Sequence, residues 1–185
     1  MTTVQNFGCT LSRAQRISTV MVGMLIVGIV VLFLSIGCSL LYLYLFHQHS
    51  GGLLAESIMF LAISIILASS LWWLGRLSPK GYSIDKEGIA ILRYNGKKIL
   101  IPSQEIASVE AVEKAVLKYC IRTFGGSGFL GNWGYFSSKK LSSFRGYWAN
   151  NDSLVLVQRI KGEPFLLSPD NREEFIACVY QLLQR

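Results

Sequence analysis

Gly126-Ser127-Gly128-Phe129-Leu130-Gly131 has the G-x-G-x-x-G spacing of a loop that cradles a pyrophosphate. Asp152 follows about twenty residues later, where a dinucleotide-binding fold places its ribose acid. That chemistry needs a helix opening directly after the glycines, so that its N-terminus meets the phosphate. Residues 132–136 instead carry Gly134 and three aromatics with no helical period, and a Walker lysine is absent. The loop therefore reads as a flexible or bulged connection between strands, and no nucleotide is expected. His47 and His49, with Glu56 nearby, offer three metal donors, but on a flexible link. We assign no metal and no cofactor. Cys9, Cys38, Cys120 and Cys178 form no C-x-x-C pair, and Cys120 and Cys178 read as reduced, apolar core fillers. Glu110 and Glu113 stand three apart on an expected strand, so they point to opposite faces and cannot converge as a catalytic pair. These spacings supply no catalytic residues, and an enzyme is not expected.

The elements that must position these residues begin with two apolar runs. Charged residues make up 16% of the chain, against about 25% in ordinary soluble proteins. Residues 17–46 hold no Asp, Glu, Lys or Arg, and residues 53–75 hold one acid, Glu56. Both runs exceed the roughly 20 residues needed to cross a bilayer. The link between them carries no Lys or Arg, whereas Arg13 and Arg16 precede the first run and Arg76 and Lys80 follow the second. The positive-inside rule then puts both termini in the cytoplasm and the link outside, a multi-pass protein of the inner (plasma) membrane. Trp72 and Trp73 near one end, and Tyr42 and Tyr44 near the other, suit aromatic belts. The first run is about twice the length of a signal-peptide core. Ser35-Ile36-Gly37-Cys38 loosely resembles a lipoprotein cleavage box, but the run continues past it. Ser35 with Ser39, and Ser64 with Ala68, put small residues four apart, a spacing that lets helices approach closely in lipid. Glu56 lies in the first turn of its span, where it reaches the outer interface.

From about Lys80 the pattern changes to short alternating runs. Residues 89–94 and 97–101 flank Asn95-Gly96, a hairpin signature. Residues 103–106 suit a short helical turn, and further strands fit 108–116, 118–124, 142–149, 153–159 and 164–167. At the end, Ser168 suits an N-cap with Pro169 at the first helical position and Asp170 at the positive end of the dipole. Phe175, Ile176, Val179, Leu182 and Leu183 then recur at helical spacing. The expected organisation is an N-terminal cytoplasmic segment (1–16), a transmembrane hairpin (17–76, with spans 17–46 and 53–75) and a mostly-β, α+β domain (80–185). About seven antiparallel strands capped by one C-terminal helix make up that domain.

This order is similar to a pleckstrin-homology (PH)-like fold. The resemblance is sharpest at Arg122-Thr123-Phe124-Gly125-Gly126, Gly128-Phe129, Gly131 and Gly134-Tyr135-Phe136. It continues through Phe144-Arg145-Gly146-Tyr147-Trp148-Ala149-Asn150 and Leu167-Ser168-Pro169-Asp170. The segment from 80 to 185 resembles the bacterial PH-like domain family, many members of which follow a pair of transmembrane helices. The resemblance implies a PH-like sandwich on a membrane anchor and no reaction. The basic loop of eukaryotic lipid-binding members corresponds only to Asn95-Gly96-Lys97-Lys98, so their phosphoinositide-binding residues are not carried over.

Eight aromatics fall within residues 124–148, with Lys139, Lys140 and Arg145 among them. Alternate aromatics on a strand would fill a core and the rest would cover its edge. Phe129, Leu130 and Trp133, flanked by glycines, are the candidates for exposure, and with Lys139, Lys140 and Arg145 they form the expected contact set for a membrane or a partner. From Arg76 onward there are 16 Lys and Arg against 10 Asp and Glu, a surplus that draws a tethered domain to an anionic leaflet. The bases are scattered, so nucleic acid is not an expected partner. The expectation is a membrane-anchored, non-enzymatic binding or scaffold protein. Its partners are the lipid bilayer and either another protein or a second copy of itself. The rival reading makes the hairpin the working part of a transport or envelope-stress component, with Glu56, His47 and His49 as its polar groups.

Overall fold

A computed structural model describes residues 4–47 and 50–184, so the expected donor His49 lies outside the described residues. The chain divides into two compact units, one running from Val20 to Leu74 and the other combining the chain up to Thr19 with Gly75 onward. The first unit is the body of a helical hairpin formed by α1 (Arg13–Phe46) and α2 (Gly51–Leu77), whose ends at residues 13–19 and 75–77 belong to the second unit. Both helices are long and apolar enough to cross a membrane. The two are longer than the apolar runs because Ser12 and Ser50 open them, each side-chain oxygen accepting an N–H three residues on, from Gln15 and Leu53. The helices meet at small residues. Gly37, Ser57 and Ser64 are buried, and a Cβ added at Gly37 would stand 2.9 Å from Leu61 Cγ. Ser64 is therefore on the seam, whereas Ala68, its partner in the four-residue spacing, is exposed. Ser35 and Ser39 are exposed, their hydroxyls donating to Leu32 and Ser35 carbonyls of their own helix.

The second unit is a two-sheet domain closed by a helix, as its sequence pattern indicates. One sheet has the order β1-β2-β3-β4, from β1 (Gln5–Gly8), β2 (Pro79–Ile84), β3 (Gly88–Arg93) and β4 (Lys98–Pro102). The other has the order β5-β9-β10-β8-β7-β6, from β5 (Ile106–Val112), β6 (Ile121–Gly126), β7 (Asn132–Ser138), β8 (Ser142–Trp148), β9 (Leu154–Arg159) and β10 (Phe165–Leu167). All pairs are antiparallel except β8 with β10. Three strands were not expected. β1 comes from the segment assigned outside the domain, β2 opens on Pro and carries Gly81, and β7 spans part of the glycine-rich stretch. The expected strands 108–116 and 118–124 shorten, because Lys114–Leu117 forms a 3-10 turn between β5 and β6 and Tyr119 turns the chain with φ 58°.

β1 is the element that decides the domain's extent. It pairs with β2 in register, Phe7 opposite Tyr82, although the whole hairpin separates the two strands in sequence. Phe7 packs edge-on against Phe175 of the C-terminal helix α3 (Arg172–Leu183), with ring centroids 5.2 Å apart. Thr10 donates both its N–H and its hydroxyl to Asp170 Oδ1, at 2.8 and 2.7 Å. These contacts put residues 5–10 inside the domain.

The centre of the six-stranded sheet is buried on both faces, which is why β9 reads as an unbroken Leu154-Val155-Leu156-Val157 run. On one face Val155, Val157, Phe165 and Leu167 join the four-stranded sheet and α3 in the main core. On the other, Phe136, Phe144, Trp148 and Leu166 form a second core beneath Val116 and Leu117. Tyr82 ties the parts together. Its hydroxyl donates to Tyr147 O at 2.6 Å, accepts from Ser168 N at 3.0 Å and lies 3.2 Å from Cys9 Sγ. The helix cap also differs from expectation. Asn171 caps α3 by accepting from Glu174 N, while the buried Ser168 hydroxyl accepts the N–H groups of Ala149 and Asn150.

Candidate interaction surface

Gly128, Leu130 and Gly131 all have positive φ, at 89°, 55° and 116°, so the chain doubles back and enters β7, a strand, with no helix to face a phosphate. The loop's polar groups are spent on the ends of the two helices. Thr19 Oγ1 donates to Gly128 O and accepts from Leu130 N, both at 3.2 Å. Ser78 Oγ donates to Phe129 O at 3.4 Å. A Cβ added at Gly75 would meet Leu130 Cδ1 at 3.1 Å and Phe129 Cε1 at 3.3 Å. The motif is a clasp on the start of α1 and the end of α2.

Above the clasp, Gly125, Gly134 and Gly146 stand in one row across β6, β7 and β8. A Cβ on Gly134 would lie 2.2 Å from Phe124 O, and one on Gly146 would lie 2.0 Å from the Trp148 ring. The row therefore lets strands and indole approach closely. Phe136 then stacks between Phe144 and Trp148, with centroids 5.8 and 4.6 Å away.

The six expected contact residues do not converge. Phe129 and Leu130 are half-buried in the clasp. Trp133 is half-buried against the main core. Arg145 is half-buried too, its guanidinium lying between the rings of Tyr135 and Phe165 at 5.2 and 5.0 Å. Among the described residues its Nε has no hydrogen-bond partner. Only Lys139 and Lys140 are exposed, in the β7–β8 turn, with Lys139 Nζ 5.0 Å from the Tyr119 ring centroid. That turn is at the far end of β7 from the clasp, about 20 Å away at 3.3 Å per residue. Of the eight block aromatics, four are buried in the two cores (Phe136, Phe144, Tyr147 and Trp148).

The exposed apolar surface lies on β6 and around it. Ile121 and Phe124 are each 69% exposed and Tyr119 is 65% exposed, with Tyr135 beside Phe124. Sequence reading missed this patch, because a bulge between Arg122 and Phe124 breaks the alternation that would have marked its face. Residues 114–151, which include β6, β7 and β8, hold six bases and no acid. Arg122, Lys118, Lys139 and Lys140 are all exposed.

No group of three or more His, Cys, Asp or Glu able to hold a metal occurs among the described residues. Burial pushes the Cys9 thiol up, and burial with Cys9 beside it pushes Tyr82 well up, so both stay protonated in the core. Burial likewise raises Cys120 and Cys178. None of these three thiols has the depressed pKa of a reactive cysteine.

Comparison with protein families gives a match to the bacterial PH domain over residues 80–183, more than half of the chain. The chain belongs to the bacterial PH domain family. The matched segment starts one residue inside β2, so this bacterial PH domain draws its first strand from outside the matched segment. Comparison with curated proteins and with solved structures returned no match.

Proposed function

We propose that this protein is a non-enzymatic binding module mounted on a two-span membrane anchor, with its PH domain at the cytoplasmic face of the inner (plasma) membrane. The observation that carries this reading is the β1–β2 pairing. Strands on either side of the hairpin belong to one sheet, so a hairpin that enters a bilayer must return to the side it left. Arg13, Arg16, Arg76 and Lys80 flank the two apolar helices, and their charge favours the cytoplasm for that side. The clasp adds to this support, since the domain uses its glycine loop to hold both helix ends. A domain held this way confronts its partner at a high local concentration, so a weak contact suffices. The partner is another protein, gripped by surface rather than by chemistry.

Proximity labelling from the C-terminus in the native cell tests this reading, comparing the wild-type chain with Leu166→Asp, which puts a charge at a fully buried position of the six-stranded sheet and so unfolds the domain while leaving the helices intact. The expected result is a set of labelled proteins that the variant loses. An unchanged set with the variant would place the function in the hairpin and contradict the proposal.

A further inference from the structure

The two sheets have four edge strands, and three are protected. β1 has four residues, its Gly8 carbonyl accepts from Asp170 N, and its Gln5 side chain is bonded by the Cys178 thiol. β4 has five residues, opens on Lys98 and ends at Pro102. Helix α3 packs along β5, with the Tyr180 hydroxyl donating to Val109 O at 3.0 Å. β6 is different. Among the described residues its backbone bonds only to β7, and Ile121, Arg122, Thr123 and Phe124 are all exposed. An open edge with exposed Ile and Phe is the arrangement that invites an added strand.

Charge selects the occupant. The surrounding 114–151 segment has six bases and no acid. A second copy adding its own β6 would oppose Arg122 and Lys118 with like charges, which is unfavourable. A bilayer offers no backbone N–H and C=O groups to pair with the open edge of β6, whereas an extended chain does. We propose that β6 is a docking edge for an extended, acidic segment of another protein, which adds as a further strand. Its apolar side chains meet Ile121, Phe124 and Tyr135, and its carboxylates meet Arg122 and Lys118. This rests on the binding-module reading above and names the surface and the partner's chemistry.

The test uses the full chain in nanodiscs of phosphatidylcholine, with a labelled peptide of alternating Glu and Val as the probe. The expected result is binding with slowed amide exchange at Ile121–Gly126. An alternating Lys–Val peptide, a run of Glu alone, and the Arg122→Glu and Phe124→Glu variants should each bind about tenfold more weakly or worse. Both substituted residues are exposed, and unchanged exchange across β9 shows that the variants fold. Equal binding by the Glu run, or binding without protection of β6, overturns the proposal. Photo-crosslinking in the native cell separates it from its foundation. A partner captured at Phe124 through an extended, acidic segment supports both readings, and capture there of only a second copy, or of a segment without acids, overturns the acidic-partner assignment. A partner captured at Tyr94 or Ile160 but not at Phe124 sinks the docking edge alone, and capture at none of the three sinks both.

Discussion

Phe7→Ala probes the least expected feature of the domain, the strand contributed from before the hairpin. Phe7 is 8% exposed and packs edge-on against Phe175. Loss of its burial costs about 2 kcal/mol, and loss of the edge-to-face contact about 1 kcal/mol more. Against a typical domain stability of about 5–15 kcal/mol, that loss of about 3 is severe. At about 4 °C per kcal/mol for a domain of this size, the melting temperature should fall by about 12 °C. The assay is thermal unfolding of the full chain in detergent, followed by the fluorescence of Trp133 and Trp148, with Trp72 and Trp73 as a constant helical background. Val4→Ala, at an exposed neighbouring position, is the control and should stay within about 0.5 kcal/mol. A Phe7→Ala melting temperature within about 2 °C of wild type would mean that β1 contributes nothing to the domain, and the reasoning would fail.

Tyr82→Phe removes a buried hydroxyl that serves Tyr147 O and Ser168 N, so it should cost about 2–3 kcal/mol in the same melt; a neutral result would contradict the hub assigned to Tyr82. Gly134→Ala puts a Cβ 2.2 Å from Phe124 O at a φ of 120°, so amide exchange across β6 and β7 should accelerate while β2–β3 exchange is unchanged; uniform exchange would refute the close approach. Alkaline pH should destabilise the domain. The buried Cys9 thiol holds its proton more tightly folded than unfolded, so its contribution is complete below the ordinary thiol range and is lost as pH climbs towards the raised folded value. Cys9→Ala should flatten the first part of that decline in a melting-temperature series, and an unaltered profile would show that Cys9 ionises freely.

Features with a strong local signal were legible in the sequence. The two apolar runs, the Asn95-Gly96 hairpin turn and the Phe175–Val179 spacing all appear where expected, as β3–β4 and α3. Features whose cause is distant were not. β1 is four residues long, and its partner lies beyond a whole helical hairpin, so no local pattern marks it. β7 carries a glycine with φ 120°, which reads as a loop until the close approach of β6 explains it. The candidate contact residues scattered because aromatic density alone does not say which face is covered. Here the β5–β6 connection covers one face and creates a second core that absorbs Phe136, Phe144 and Trp148. Ser168 had the right residue type for a cap, but its hydroxyl is claimed by the end of β8, and Asn171 caps the helix instead.

The most direct measurement is labelling of single introduced cysteines by a membrane-impermeant maleimide, in intact and in permeabilised cells, over the background of the native thiols. Val4→Cys, Ser50→Cys and Lys161→Cys report on the chain before, between and after the helices, and all three positions are exposed. The account requires Ser50→Cys to react in intact cells and the other two to react only after permeabilisation. Reaction of Val4→Cys and Lys161→Cys on opposite sides, or protection of Ser50→Cys while both termini react, would contradict it.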